Sequence, residues 1–186
     1  MKKKYIRRKL IVKKKTTRII AIGAVLIFAV VSVVLGYNIS KNYVEIDNDE
    51  KIVEMAKDYI LNINEKAEVT EVSEVVRQEE LGLVSVLIKY EQGKEKNAYC
   101  VYLSKTKYFD NMYEIQGALG TETGEIVADS QKINGKYVAF IRGIDIPDNI
   151  SNYSVEKLDY AGAVENGWCL EIVETDCFGH YDVTIE

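Results

Sequence analysis

The run from Ile19 to Leu35 is seventeen residues without a charge, and twelve of them are Ile, Leu, Val or Phe. A helix rises about 1.5 Å per residue, so the run covers roughly 25 Å; snorkelling of Arg18 and headgroup-level placement of Gly36-Tyr37 extend it to the roughly 30 Å hydrocarbon layer. Each of the twelve favours insertion by about 0.3–0.6 kcal/mol, on the order of −4 to −7 kcal/mol together. The pattern predicts a transmembrane helix over 19–37, with the lipid bilayer as its partner. A helix buried in a soluble core would leave the flanking charges unexplained.

Those charges set the orientation. Positions 1–18 hold ten of the 24 Lys and Arg residues and no Asp or Glu. They form a basic tail that the positive-inside rule keeps in the cytoplasm. The remaining fourteen basic residues and all 29 acidic ones follow the run, so the part expected outside carries a net charge of −15. Attraction to anionic lipid already accounts for the tail, and no nucleic-acid partner is expected. Val34 and Gly36 could serve a signal peptidase. The apolar run exceeds the usual 7–15 or so residues of a secretory signal and its basic front is long, which favours retention as a signal-anchor in the cell membrane.

A short polar tether, 38–46, leads to an extracytoplasmic domain over 47–186, long enough for a core of its own. One Pro in the whole chain argues against a disordered stalk. The domain opens with an amphipathic helix: Ile52, Val53, Ala56, Tyr59, Ile60 and Ile63 recur at helical spacing behind Asp47 as a cap, with Glu50 three residues on. Strand patterns follow. Val84, Val86, Ile88 and Tyr90 alternate against Ser85, Leu87 and Lys89, and Tyr99, Val101 and Leu103 alternate in the next run. With Ile88 facing Val101, both sets share one apolar face for the helix to cover, and Cys100 packs on the back with Leu87 and Tyr102.

A fourth strand is expected over Met112–Leu119, and Gly120–Gly124 separates a helix-plus-sheet half, 47–119, from an all-β half, 125–186. Asn134-Gly135, between apolar runs, predicts a type I′ hairpin, and Pro147-Asp148-Asn149 a further turn. Strands near 152–158, 168–174 and 180–185 complete an α+β domain of one helix and about eight antiparallel strands. The order of basic tail, single span, capped helix and closing β module, with Lys136-Tyr-Val-Ala-Phe-Ile-Arg-Gly-Ile-Asp-Ile-Pro-Asp-Asn-Ile150 at its centre, resembles single-pass surface proteins of Gram-positive bacteria. That resemblance implies a layout and carries no catalytic motif.

The chemistry-bearing residues are few. Sortases share the tail, span and outer β domain, and Thr175-Asp176-Cys177 is superficially similar to their Cys-bearing strand. Their site needs a His from before the Cys and an Arg after it; here the only His, His180, follows Cys177, and no Arg follows either. No nucleophile elbow, phosphate loop or zincin motif is present, so no catalytic residue and no cofactor is expected. Asp47, Asp49 and Glu50 lack the Gly and distal Glu of a calcium loop and read as helix-start charges. Glu65, Glu68, Glu71, Glu74, Glu79 and Glu80 read as a solvated rim. A final hairpin pairing Trp168 with Ile185 would set Glu171 opposite Asp182 with His180 on the same face, a candidate cation site; the same register would hold Cys169 and Cys177 on the order of 15 Å apart, too far for a disulfide. The expected function is a non-catalytic, membrane-anchored interaction module meeting an envelope protein or wall component. A thiol- or metal-dependent activity at the final hairpin is the alternative.

Overall fold

The computed structural model describes residues 25–39, 41–93 and 95–186. The chain divides into two compact units, Met1–Lys41 and Asn42–Glu186. In the first, 25–39 is helical (α1) and its apolar side chains face outward, Val25 at 68% and Phe28 at 75% exposure. Among the described residues no helix is long and apolar enough to cross a membrane. The basic tail and positions 19–24 of the expected span lie outside the described residues.

The second unit is α+β, with antiparallel strand ladders throughout. Its helix α2, Asp49–Ile63, is capped by Asn48, whose side chain accepts the Lys51 amide at 3.1 Å. The cap therefore falls one residue after the expected Asp47. Asn48 suits the position because its short side-chain oxygen reaches back to a first-turn amide. α2 buries Ile52, Ala56 and Ile60 completely against Val84, Val86, Ile88, Val101 and Leu103. Burial of the two isoleucines alone is worth about 3–6 kcal/mol.

Those partners lie on β4 (Leu83–Gln92) and β5 (Glu95–Lys105), in a six-stranded sheet ordered β1-β6-β5-β4-β2. Here β1 is Val44–Glu45, β2 Glu68–Val72 and β6 Met112–Glu122, while β3, Val76–Gln78, also pairs β4. The expected tether thus contains a strand: Val44 is buried and pairs Tyr113. Across β4 and β5 the ladder sets Ile88 against Tyr99 and Val86 against Val101, two residues from the expected register. Gln92 pairs Glu95 across a tight turn entered at Gly93, whose φ of 68° suits glycine. An even shift keeps every side chain on its expected face, and Cys100 indeed packs behind the sheet with Leu87 and Tyr102.

A four-stranded sheet, ordered β11-β8-β7-β12, covers that back face, with β7 at Ile126–Ile133, β8 at Lys136–Gly143, β11 at Cys169–Thr175 and β12 at His180–Tyr181. Leu87, Cys100 and Tyr102 meet Phe140, Leu170 and Ile172 between the layers, and the Tyr102 and Phe140 rings are 4.8 Å apart. Asn134 (φ 51°) and Gly135 (φ 88°) form the tight turn between β7 and β8. A three-stranded sheet, β10 (Tyr160–Ala163), β9 (Asn152–Val155) and β13 (Thr184–Ile185), packs on the outer face through Tyr153, Val155, Ile141 and Tyr181. The amide of Ile150 closes the Pro147 turn at 2.9 Å.

The expected final hairpin does not form. β11 pairs β8 instead, Glu171 opposite Ile141, and the 180–185 segment splits, β12 joining β7 and β13 joining β9. Three contacts direct the break: Ser130 Oγ donates to the Cys177 carbonyl and accepts the Gly179 amide, and Tyr181 Oη donates to the Cys177 carbonyl. The chain is thereby turned across the sheet toward β7.

Candidate functional site

A cavity of about 570 Å³ lies beside β11. Its wall includes the consecutive residues Trp168, Cys169, Leu170 and Glu171. Neighbours on a strand point to opposite faces, so a cavity touching all four borders the strand's edge rather than one face. The facing wall is Glu71–Glu74, where β2 ends, and Glu165 and Asn166 close one end. Both β11 and β2 are terminal strands of their sheets. The groove therefore runs between two sheet edges.

Charge and aromatic surface line it. Glu71, Glu74, Glu165 and Glu171 contribute carboxylates, no Lys or Arg stands in the wall, and Trp168 is the single tryptophan of the chain. Behind the wall Lys89, 9% exposed at its side chain, bridges Asp145 at 2.7 Å and Glu71 at 3.6 Å. The Asp145 hydrogen bond leads the effects on Lys89 and outweighs its burial, so with the Asp145 and Glu71 charges the ammonium is held above its ordinary range. Burial, and after it the Glu171 carboxylate, push the Tyr160 phenol up to about 12 and the Cys169 thiol likewise to about 12. Cys169 is thus a packed, neutral thiol.

The residues expected to share a cation do not meet. Glu171 sits on β11 facing the three-stranded sheet; His180 sits on β12, with β8 and β7 between, on the face toward Arg142. Three strand spacings are roughly 14 Å, and opposite faces add to that. Asp182 is exposed in the link between β12 and β13. Among the described residues no group of three His, Cys, Asp or Glu side chains could hold a metal ion. Asp49, at the helix start, is an ion-pair partner of Arg77.

His180 enters a different cluster. Its Nδ1 is 2.6 Å from Asp129 Oδ1, and the other oxygen of Asp129 accepts from Arg142 Nη2 at 2.6 Å. Arg142 is 3% exposed and donates also to the Gly120 carbonyl, from Nε at 3.2 Å and Nη2 at 2.8 Å. Burial works to raise the Asp129 carboxyl, but the His180 and Arg142 hydrogen bonds outweigh it and hold the group below its usual range. An Asp–His pair can move protons, yet the adjacent Ser130 hydroxyl is committed to Cys177 and Gly179, and Cys177 Sγ contacts Tyr181 Oη at 3.7 Å. The cluster's clear work is mechanical, tying the end of β6 to β7 and β8. A smaller cavity, about 410 Å³, opens beside it next to the stacked Tyr90 and Tyr99 rings.

The groove is absent from the sequence reading because its walls come from segments almost a hundred residues apart. Glu71 and Glu74 read as rim, and Trp168 as one member of a hairpin. All three cysteines are free, Cys100 and Cys169 buried and Cys177 exposed. Compared with family models, with curated proteins and with solved structures, the chain matches none.

Proposed function

We propose that the chain is a membrane-anchored, extracytoplasmic binding module, non-catalytic, whose working surface is the groove between β2 and β11. The observation that carries this reading is the edge-lined groove itself: it offers carboxylates, an indole and strand edges, with no nucleophile paired to a base. The apolar run 19–35 and its basic flank support a bilayer-spanning helix over 19–37, N-terminus in the cytoplasm and domain outside. The net −15 beyond the run argues against a nucleic-acid partner and suits an envelope protein or wall component.

Two measurements test it in the native envelope. A photo-crosslinking residue at Glu165 should capture an envelope component that the same residue at exposed Lys157, at the other end of the β9–β10 hairpin, does not; equal or absent capture removes the groove as working surface. A reporter fused after Glu186 should be active only outside, and cytoplasmic activity overturns the topology. The Asp129–His180 pair favours a second reading, thiol chemistry at the nearby exposed Cys177. Slower alkylation of Cys177 in His180→Gln supports that reading, and an unchanged rate removes it.

A further inference from the structure

The backbone along the groove has a direction. In the tight turn at 165–168 the Glu165 amide donates to the Trp168 carbonyl and the Trp168 amide to the Glu165 carbonyl, both at 2.9 Å. On the other side of the strand, the Ile146 amide donates to the Gly167 carbonyl at 3.0 Å. Peptide groups of successive strand residues alternate between the two edges. Gly167 therefore points toward the β8 side and Trp168 away from it. By the same alternation Cys169 points toward β8, and Leu170 and Ile172 point away. β11 pairs only β8, so the N–H and C=O groups of Leu170 and Ile172 have no backbone partner among the described residues. Leu170 stands in the groove wall, and its side chain is buried between the sheets, leaving its backbone edge as what it presents there.

An unpaired edge of this kind is a template for an added strand. Proteins blunt such edges with charge, and a guard alone would explain the glutamates. It would not explain a cavity of about 570 Å³ beside them or an indole in its wall. We infer that the groove binds an extended, Lys- or Arg-bearing segment of a partner protein, which adds to β11 as a further strand and continues the pairing that Glu165 begins at Trp168. Main-chain bonds to Leu170 and Ile172 hold the segment. Cationic side chains, which alternate along it, meet Glu74 and Glu165 on the rim and the face of Trp168, where an ammonium or guanidinium is attracted to the ring. The inference rests on the reading of the groove as the binding surface and names what that surface takes.

Trp168, as the single tryptophan, reports directly on the groove. Full-length protein in detergent micelles is titrated with acetyl-Lys-Val-Lys-Val-Lys-amide while Trp168 emission is followed. The expected result is a saturable change. Affinity should fall at least tenfold when the peptide's backbone nitrogens are methylated, which removes the donors a strand needs, and at least tenfold in the Glu74→Gln, Glu165→Gln double variant, both of whose sites are exposed. The Glu-Val-Glu-Val-Glu peptide should give no saturable change. Binding that ignores N-methylation overturns strand addition, binding that ignores charge reversal overturns the basic partner, and no response to the Lys peptide overturns both. If the peptide fails while Glu165 still crosslinks an envelope component, this inference falls and the binding-module reading stands; if both fail, both fall.

Discussion

Replacing Arg142 by Met tests whether the guanidinium holds the β6 end against β7 and β8. Met keeps most of the volume, so the loss is of hydrogen bonds rather than packing. The Gly120 carbonyl accepts twice from Arg142, and stranding it costs about 1–3 kcal/mol. Asp129, 30% exposed at its side chain, keeps His180 and can turn to water, so the broken ion pair adds only about 1 kcal/mol. The expected destabilisation is about 2–4 kcal/mol. In urea, followed by Trp168 emission, it lowers the midpoint by on the order of 1–2 M. Asp129→Asn should cost less alone, and its effect should shrink in the Arg142→Met background because the two share a contact. Acid supplies a second check. A carboxyl whose folded pKa is lowered contributes stability that is present above the unfolded value, about 3.9, and lost as pH falls through the folded value. The stability gap between parent and Asp129→Asn should therefore begin to narrow below about pH 5 and close only as pH falls through the lowered folded value. An Arg142→Met midpoint equal to the parent's would refute the mechanical role.

Gly162→Ala should destabilise by about 1–3 kcal/mol, read as a lower thermal midpoint, because the new Cβ would run into the hydroxyl of Tyr153, a residue only 1% exposed; an unchanged midpoint would show that Tyr153 can yield. Native alkylation followed by peptide mass analysis should label Cys177 alone, with Cys100, its thiol pushed up to about 11 by burial, and Cys169 reacting only in denaturant. Fast labelling of either buried thiol contradicts the packing. Lys89, raised by its Asp145 contact, contributes stability that is full below its unfolded pKa of about 10.4 and is lost as pH rises through the folded value. The difference between parent and Lys89→Met should thus narrow in strong alkali, and a difference constant with pH would remove the ion pair as its source.

Elements with local signals were legible in the sequence. The α2 stripe, the Asn134-Gly135 turn and the two faces of β4 and β5 follow from periodicity and turn chemistry, and a register error of two residues leaves the faces intact. Pairing between distant strands was not legible. Trp168 to Thr175 and His180 to Ile185 look like a hairpin because they are neighbours in sequence, whereas β8 offers β11 seven paired positions and the Ser130 contacts turn the following chain away. β10, Tyr-Ala-Gly-Ala, has little strand propensity and exists because β9 lies beside it. Of the candidate cation set, only His180 found a carboxylate, and that carboxylate, Asp129, is 51 residues away.

The splitting of 180–185 between two sheets bears on the order in which the molecule assembles. β12 returns to β7 and β13 to β9, so both sheets receive their last strand from the same six residues. Contacts of such long sequence separation form late, because loop-closure entropy is lost before pairing repays it. Until they form, β7 and β9 each present an open edge while the locally closed β4–β5 and β7–β8 hairpins can already exist. Every newly made chain therefore passes through an interval in which it can pair with a neighbour instead of with itself, and that interval lasts until the segment 180–185 has emerged and docked.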